Sequence, residues 1–173
     1  MPNWVSNIVR CDDDHVETLL LLQDFSNIVP CVEKPLFPPY DWCIEHWHTK
    51  CNAARFRLSM NHPRKGTYVQ FDTAWSHPGA LITALSRRFP QRRFSVSYSD
   101  EDTGRNCGRY VIQNGEILEG GKLPDYSRAA YDLTFEHWPT DRAFFRLKGD
   151  NYELLPRAER DRMESLLIEI GLF

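Results

Sequence analysis

The chain has 173 residues, 42% of them hydrophobic and 26% charged, with a formal net charge of −3. These values describe one globular domain with room for an appendage, and they exclude bulk disorder. A chain this long buries roughly two thirds of its unfolded surface without a metal or disulfide staple, and its mild negative charge excludes a molecule-wide field for gripping phosphates.

In chain order, Trp4 to Arg10 reads as a first strand, with Trp4, Ile8 and Val9 as its apolar residues. Asp12, Asp13 and Asp14 then offer N-cap and dipole-favourable charge to a helix. In that helix Val16, Leu19, Leu20 and Phe25 recur at helical spacing, which places it on a sheet. Pro30, Pro35, Pro38 and Pro39 make an irregular connection. The stretch DWCIEHWHTKCNAARF, residues 41–56, is read as a helix over 41–53.

Phe56, Leu58 and Met60 alternate with Arg57 and Ser59, the pattern of a half-buried strand, and NHPRKG turns the chain into an antiparallel partner at Tyr68 to Phe71. Ser76 is a candidate cap for a second helix, with Pro78 at an early, tolerated position and a core face of Leu81, Leu85 and Phe89. Phe94, Val96 and Tyr98 alternate with Ser95, Ser97 and Ser99 in a further strand. Asn114-Gly115, between Tyr110–Ile112 and Ile117, is a two-residue hairpin signal. Residues 126–138 fit a helix through Tyr126, Ala130 and Leu133, or a strand through Tyr131, Leu133 and Phe135. A last helix carries the stripe Met163, Leu166, Leu167 and Ile170, with Gly171 as its C-cap.

The order β-α-(insert)-β-β-α-β predicts an α+β fold: a ferredoxin-like antiparallel sheet with two helices packed on one face. A β-hairpin extension and a C-terminal helical tail follow. The expected division is a domain over 1–120, with 28–53 as a Pro-rich and helical insert, and a helical extension over 121–173 packed on the same core. The opposite face of the sheet is left for a partner, or for the tail to cover.

Three phrases carry a family likeness: MPNW-SN at the start, W-IE-W-TK-NA at 42–53 and DTAWS-P at 72–78. Together they resemble the YubB-like family, borne by conjugative plasmids and phages, whose members have a ferredoxin-like domain. The likeness touches three separate stretches in the first two thirds of the chain. Val5 stands where the family has cysteine, His48 where it has glycine and Cys51 where it has tryptophan. The resemblance implies a ferredoxin-like fold and a mobile-element setting, and it brings no catalytic residues.

The residues that advertise chemistry weigh as follows. Five cysteines, Cys11, Cys31, Cys43, Cys51 and Cys107, are odd in number and irregularly spaced, and no apolar leader precedes them. The longest apolar run, Leu19 to Leu22, is far too short for a membrane span, so reduced thiols in a bacterial cytoplasm are expected. On a helix over 41–53, Cys43 and Cys51 stand roughly 12 Å apart along the axis, too far for one zinc ion. The pattern suits a buried stripe of Cys43, Trp47 and Cys51 instead. Cys43 and His46, one helical turn apart with Glu45 or Asp41 nearby, are a nucleophile-base candidate without a Gly-rich turn to supply an oxyanion hole. No G-x-S-x-G, G-x-x-x-x-G-K-[ST], G-x-G-x-x-G or H-E-x-x-H occurs. No metal or cofactor is therefore expected.

Arg87, Arg88, Arg92 and Arg93 lie beside Phe89, Phe94 and Tyr98, the residue types with which ferredoxin-like RNA binders hold phosphates and stack bases. Aromatics at 13% of the chain also suit a protein-binding patch. The candidate interaction surface comprises Glu45, His46, His48 and Lys50 on the outer side of the insert. Arg87, Arg88, Arg92 and Arg93 add a basic corner, and Asp100, Glu101 and Asp102 an acidic loop. The leading expectation is a non-enzymatic mobile-element protein that binds and modulates or inhibits a host or defence-system protein complex. The alternative is single-stranded nucleic-acid binding through an Arg/aromatic surface at 87–98. A Cys/His-dependent enzyme or zinc protein is the second alternative. A membrane partner is not expected.

Overall fold

The computed structural model describes residues 3–12, 15–28, 40–63 and 66–172. Within them a six-stranded sheet runs in the order β2-β3-β1-β4-β5-β6. Its strands are β1 (Trp4–Cys11), β2 (Ala54–His62), β3 (Gly66–Ala74), β4 (Arg93–Asp100), β5 (Cys107–Gln113) and β6 (Glu116–Lys122). Every neighbouring pair is antiparallel. Helices α1 (Val16–Leu20) and α3 (Gly79–Arg88) make the two crossovers, β1 to β2 and β3 to β4. The order β2-β3-β1-β4 is thus the interleaved βαββαβ arrangement that defines a ferredoxin-like domain, and the β5–β6 hairpin widens it by two strands. Asn114 (φ 48°) and Gly115 (φ 82°) both take left-handed conformations in that hairpin's tight turn.

Strand alternation sorts the sheet into two faces. Val9 pairs with Val69 on one side and Val96 on the other, and Val96 pairs with Tyr110. This inner row, with Val5, Phe71, Phe94 and Ile112, meets Leu19, Leu22, Phe25, Leu81, Ile82 and Leu85 from the helical layer in one core. The shared cause is period-two alternation on strands against 3.6-residue spacing on the helices. Helix α2 (Tyr40–Trp47) joins this core through Cys43 and Trp47. The Trp47 ring stands edge-on to Phe25 at 5.6 Å and to Trp42 at 5.1 Å.

Several local expectations give way to tertiary contacts. Helix α1 is only five residues long and is followed by 3-10 turns at Leu21–Gln23 and Phe25–Asn27. Its N-cap is His15, which makes no side-chain cap, while Asp12 accepts from the Arg93 amide of β4. Asp13 and Asp14 lie outside the described residues, as do Cys31, Pro30, Pro35, Pro38 and Pro39. Leu20, expected in the core, is exposed. Helix α2 ends at Trp47 instead of running to residue 53, and His48 turns the chain at φ 59°. The competing attraction is the end of β3: the Lys50 amide donates to the Ala74 carbonyl, and the Thr49 hydroxyl sits 3.3 Å from the same oxygen. Ser76 does not cap α3; its hydroxyl donates to the His48 carbonyl, and the helix starts behind Pro78.

The ambiguous segment is helix α4 (Arg128–His137), with the Ser127 hydroxyl accepting from the Ala130 amide as its N-cap. Beyond it come a 3-10 turn (Pro139–Phe144), a small hairpin of β7 (Phe145–Lys148) and β8 (Asn151–Leu154), and α5 (Arg157–Glu169). The tail is therefore not wholly helical. On α5 only Leu167 is buried, and the expected stripe leaves Leu166 and Ile170 exposed. Gly171, at φ 72°, closes the helix in the left-handed position, and the Leu172 amide reaches back to the Leu167 carbonyl.

Helix α4 crosses the outer face of the sheet and covers one end of it. Ser99 donates to Thr134 at 3.0 Å, the Trp138 indole N–H donates to the Ser99 carbonyl at 3.1 Å, and His137 sits between the Ser6 and Ser97 hydroxyls. Cys107, Ala130 and Leu133 form a small second core beneath it.

Candidate interaction surfaces

The residues singled out in the sequence fall on three separate places, and the outer sheet face makes a fourth. The first is the outer side of α2 and the turn after it. Glu45 and His48 are exposed, and His46 stacks on Trp42 at 4.3 Å while its Nδ1–H donates to the Trp42 carbonyl. Because Cys43 is 2% exposed and His46 is committed to Trp42, the two do not form an open nucleophile-base pair. Lys50 lies between two rings, its Nζ 4.2 Å from the Tyr40 centroid and 4.0 Å from the Trp75 centroid. Tyr40 is 59% exposed and Trp75 50% exposed, with Ile44 beside them on α2 at 41%. Trp75 holds φ 73°, a region bulky residues avoid, at a cost of about 1–3 kcal/mol. Sequence reasoning placed Lys50 here but missed Tyr40 and Trp75. Trp75 lies inside the DTAWS phrase and joins Lys50 only once the chain folds.

The basic corner does not form one surface. Arg88 donates to the Asn27 carbonyl and Arg92 to the Thr18 hydroxyl, and both guanidiniums lie over Phe89, so they tie the end of α3 to the α1 segment. Arg87 is exposed and close to the Gly115 turn. Arg93 alone points to the outer face, where its Nε donates to Gln113 at 3.2 Å. Phe94, Val96 and Tyr98 are buried in the inner core. Alternation along β4 sends neighbouring residues to opposite faces, which divides the Arg/aromatic surface expected at 87–98.

The acidic loop is similarly split. Asp100 is 5% exposed and accepts from the Asp102 amide and from Asn106 at 3.0 Å, which makes it a loop-forming residue. Glu101 and Asp102 are exposed. Glu101 lines a hollow of about 370 Å³ with Thr103, Asp141, Phe145, Leu154 and Arg160. Burial pushes the Asp141 carboxyl up, against the hydrogen bond from Thr103.

The fourth place is the outer sheet face from the margin of α4 outward. Register puts Arg57 beside Gln70, Gln70 beside Ile8, Ile8 beside Ser97 and Ser97 beside Arg109 in one rung. Two residues along, Ser59, Tyr68, Ser95 and Val111 belong to the next rung, with Arg10 opposite Ser95 on β1. At the covered end Arg55 pairs with Asp72 at 2.6 Å, and burial raises the Asp72 carboxyl against the pull of Arg55 and Arg57.

On the inner side a polar chain runs through the core. Asn7 donates to the Val5 and Phe71 carbonyls and to Thr73, so its Oδ1 faces the Nδ1–H of His77 at 2.8 Å. Tyr110 donates to the His77 Nε2 at 2.6 Å, and Tyr98 stacks on the ring at 4.2 Å. Burial holds the His77 pKa down at about 3. Among the thiols, burial and Asp12 push Cys11 up to about 11, and burial raises Cys107. Among the described residues no three His, Cys, Asp or Glu side chains converge as metal ligands would, and no helix is long and apolar enough to cross a membrane.

The split βαββαβ sheet with both crossover helices on one side defines a ferredoxin-like α+β domain. The family model described as the ferredoxin-like domain in Api92-like protein matches residues 46–141, more than half of the chain, and the chain belongs to that family. Among solved structures it is similar to the crystal structure of a protein Api92 from Yersinia pseudotuberculosis, at 13% identity and a TM-score of 0.45. That match covers 58% of this chain and 39% of the Yersinia chain. Comparison with curated proteins gives no match.

Proposed function

We propose that the protein is a non-enzymatic accessory protein of a mobile element that docks on, and modulates, a host or defence-system protein complex. The mobile-element setting rests on the YubB-like phrases at the N-terminus, at 42–53 and at 72–78. The docking role rests on Trp75. Trp75 is half exposed in the turn after β3, its left-handed backbone held by its amide's hydrogen bond to the Asn3 carbonyl, and Lys50 lies between its ring and that of Tyr40. Tryptophan and tyrosine dominate binding hot spots because they bring large rigid area at little entropic cost. A cation sandwiched between two rings keeps both rings presented. Burial keeps the Cys11 and Cys107 thiols protonated, against thiolate chemistry at these positions.

Affinity capture from a nuclease-treated bacterial lysate tests this reading. Wild-type protein is expected to retain one host protein in stoichiometric amount, and Trp75→Asn to lose it. Asparagine tolerates the left-handed backbone, so the variant's melting temperature is expected to match or exceed the wild type's. Equal capture by both proteins, or none by the wild type, contradicts it.

A further inference from the structure

The outer sheet face carries a second binding surface, independent of the Trp75 patch. Helix α4 covers the end of the face that holds Ser6, Ser99 and Cys107, and its His137 and Glu136 reach Ser97 and Arg109 in the next rung. Arg57, Arg10, Arg93 and Arg109 come from four different strands and cross the remainder. With strands about 4.8 Å apart and paired rungs about 6.7 Å apart, Arg10 stands roughly 8–12 Å from each of the other three arginines, and Arg93 roughly 14 Å from Arg109.

Between Arg10 and Arg109 lies a hollow of about 40 Å³ floored by Ile8, Ser95 and Ser97. The Arg10 Nε is shielded from water and has no hydrogen-bond acceptor among the described residues. A desolvated guanidinium donor without an acceptor is costly, and an oxyanion in the hollow would satisfy it. Arg57 likewise has no ion-pair partner among the described residues. Among the described residues the carboxylates near this face lie at its margins, including Asp12, which accepts from the Arg93 amide, and Glu116, opposite Gln113 on β6. Glu136 meets Arg109 at 2.7 Å, an exposed pair of little worth, and Asp72 is taken by Arg55. Glu119 stands opposite Val111 on the edge strand β6. The half-buried Tyr68 sits beside Arg10, whose guanidinium lies 6.0 Å from its ring centroid.

We propose that this face binds the phosphodiester backbone of a single-stranded nucleic acid across the strands. One phosphate sits between Arg10 and Arg109, while Arg57 and Arg93 extend the track to either side. A sheet face with apolar and aromatic side chains between its cations suits a single strand, whose splayed bases lie on the half-buried Tyr68 and Val111. A duplex would keep its base faces stacked and out of reach. Because the whole chain is mildly acidic, binding is local and strongly salt-sensitive.

Fluorescence anisotropy with the full chain and labelled single strands of about 12 nucleotides, one RNA and one DNA, tests this. Saturable binding at low salt is expected, weakening with salt at a slope of about −0.7 per phosphate contact. Arg10→Gln is expected to weaken it about tenfold, and Arg57→Gln and Arg93→Gln several-fold, each lowering the salt slope by about one contact. Arg88→Gln, on the helical layer, should leave it unchanged, and Arg10→Lys, which keeps the charge, should fall between. Tyr68→Leu should weaken oligonucleotides more than heparin.

No binding by the wild type at low salt overturns the proposal, as do equal losses in Arg10→Gln and Arg88→Gln. Heparin binding that follows oligonucleotide binding in every variant would mark a general polyanion surface and overturns it too. Loss of oligonucleotide binding leaves the Trp75 reading standing, and failed host-protein capture leaves this one standing, because the two surfaces share no residue.

Discussion

Lowering the pH from 7 to 5 protonates ordinary histidines, but His77 resists because both ring nitrogens are already committed. Its Nδ1–H donates to Asn7, and its Nε2 accepts from Tyr110. Taking up a proton would force Tyr110 to turn from donor to acceptor and place a charge against the Tyr98 ring in the core. The folded pKa of about 3 lies below the ordinary value of 6.5, so the unfolded chain binds the proton first. The stabilisation is complete above pH 6.5 and is lost as the pH falls from there toward about 3. Each pH unit in that window is worth about 1.4 kcal/mol, so pH 5 removes about 2 kcal/mol. Asp72 and Asp141, raised by burial, act in the opposite direction, and wild type and variant share them. Urea unfolding at pH 7 and pH 5 should show the wild type losing about 2 kcal/mol more than His77→Gln. As a check that needs no variant, the His77 ring resonances should not titrate between pH 7 and pH 4.5. Equal losses in the two proteins, or a midpoint near 6.5, would refute the reasoning.

Three further outcomes follow from packing. Trp47→Ala should destabilise by about 3–5 kcal/mol in urea unfolding, because the ring is 1% exposed and wedged between Phe25 and Trp42. Gly108→Ala should cost about 1–3 kcal/mol, since a Cβ there would stand 2.7 Å from the Gly121 carbonyl and 2.8 Å from the Tyr98 hydroxyl. Removing residues 157–173 should lower the melting temperature only slightly, because α5 buries a single side chain, Leu167; collapse of the near-UV spectrum in the truncated chain would contradict that.

The sequence made the sheet readable because its strands alternate cleanly. The row Phe94, Val96, Tyr98 against Ser95, Ser97, Ser99 separates the two faces without any structure. The Asn114-Gly115 turn and the left-handed Gly171 were legible for the same local reason: their backbone conformations suit few residues. What failed was local signal overruled from a distance. Three aspartates look like a helix cap, yet Asp12 is spent on β4. Ser76 looks like another cap, yet it holds the His48 carbonyl. The helix over 41–53 breaks at His48 because Thr49 and Lys50 attach to the end of β3.

The binding surfaces were half legible for a related reason. Lys50 and Trp75 are 25 positions apart and meet only through the fold. Adjacent arginines looked like one patch, but Arg92 and Arg93 serve opposite layers. Arg10, Arg57 and Arg109 were each a lone charge in its own strand. Register alone gathers them, and the all-serine row on β4 was the sign that this face was polar.

The docking role of the Trp75 patch is tested most directly by photo-crosslinking from the site itself. A photoreactive phenylalanine derivative at position 75, in a bacterial host expressing the protein, should give one dominant covalent adduct with a single host protein. The same group at Ile117, equally exposed but on the far edge strand β6, should not give that adduct. Identical adducts from both positions, or none from position 75, would contradict the account.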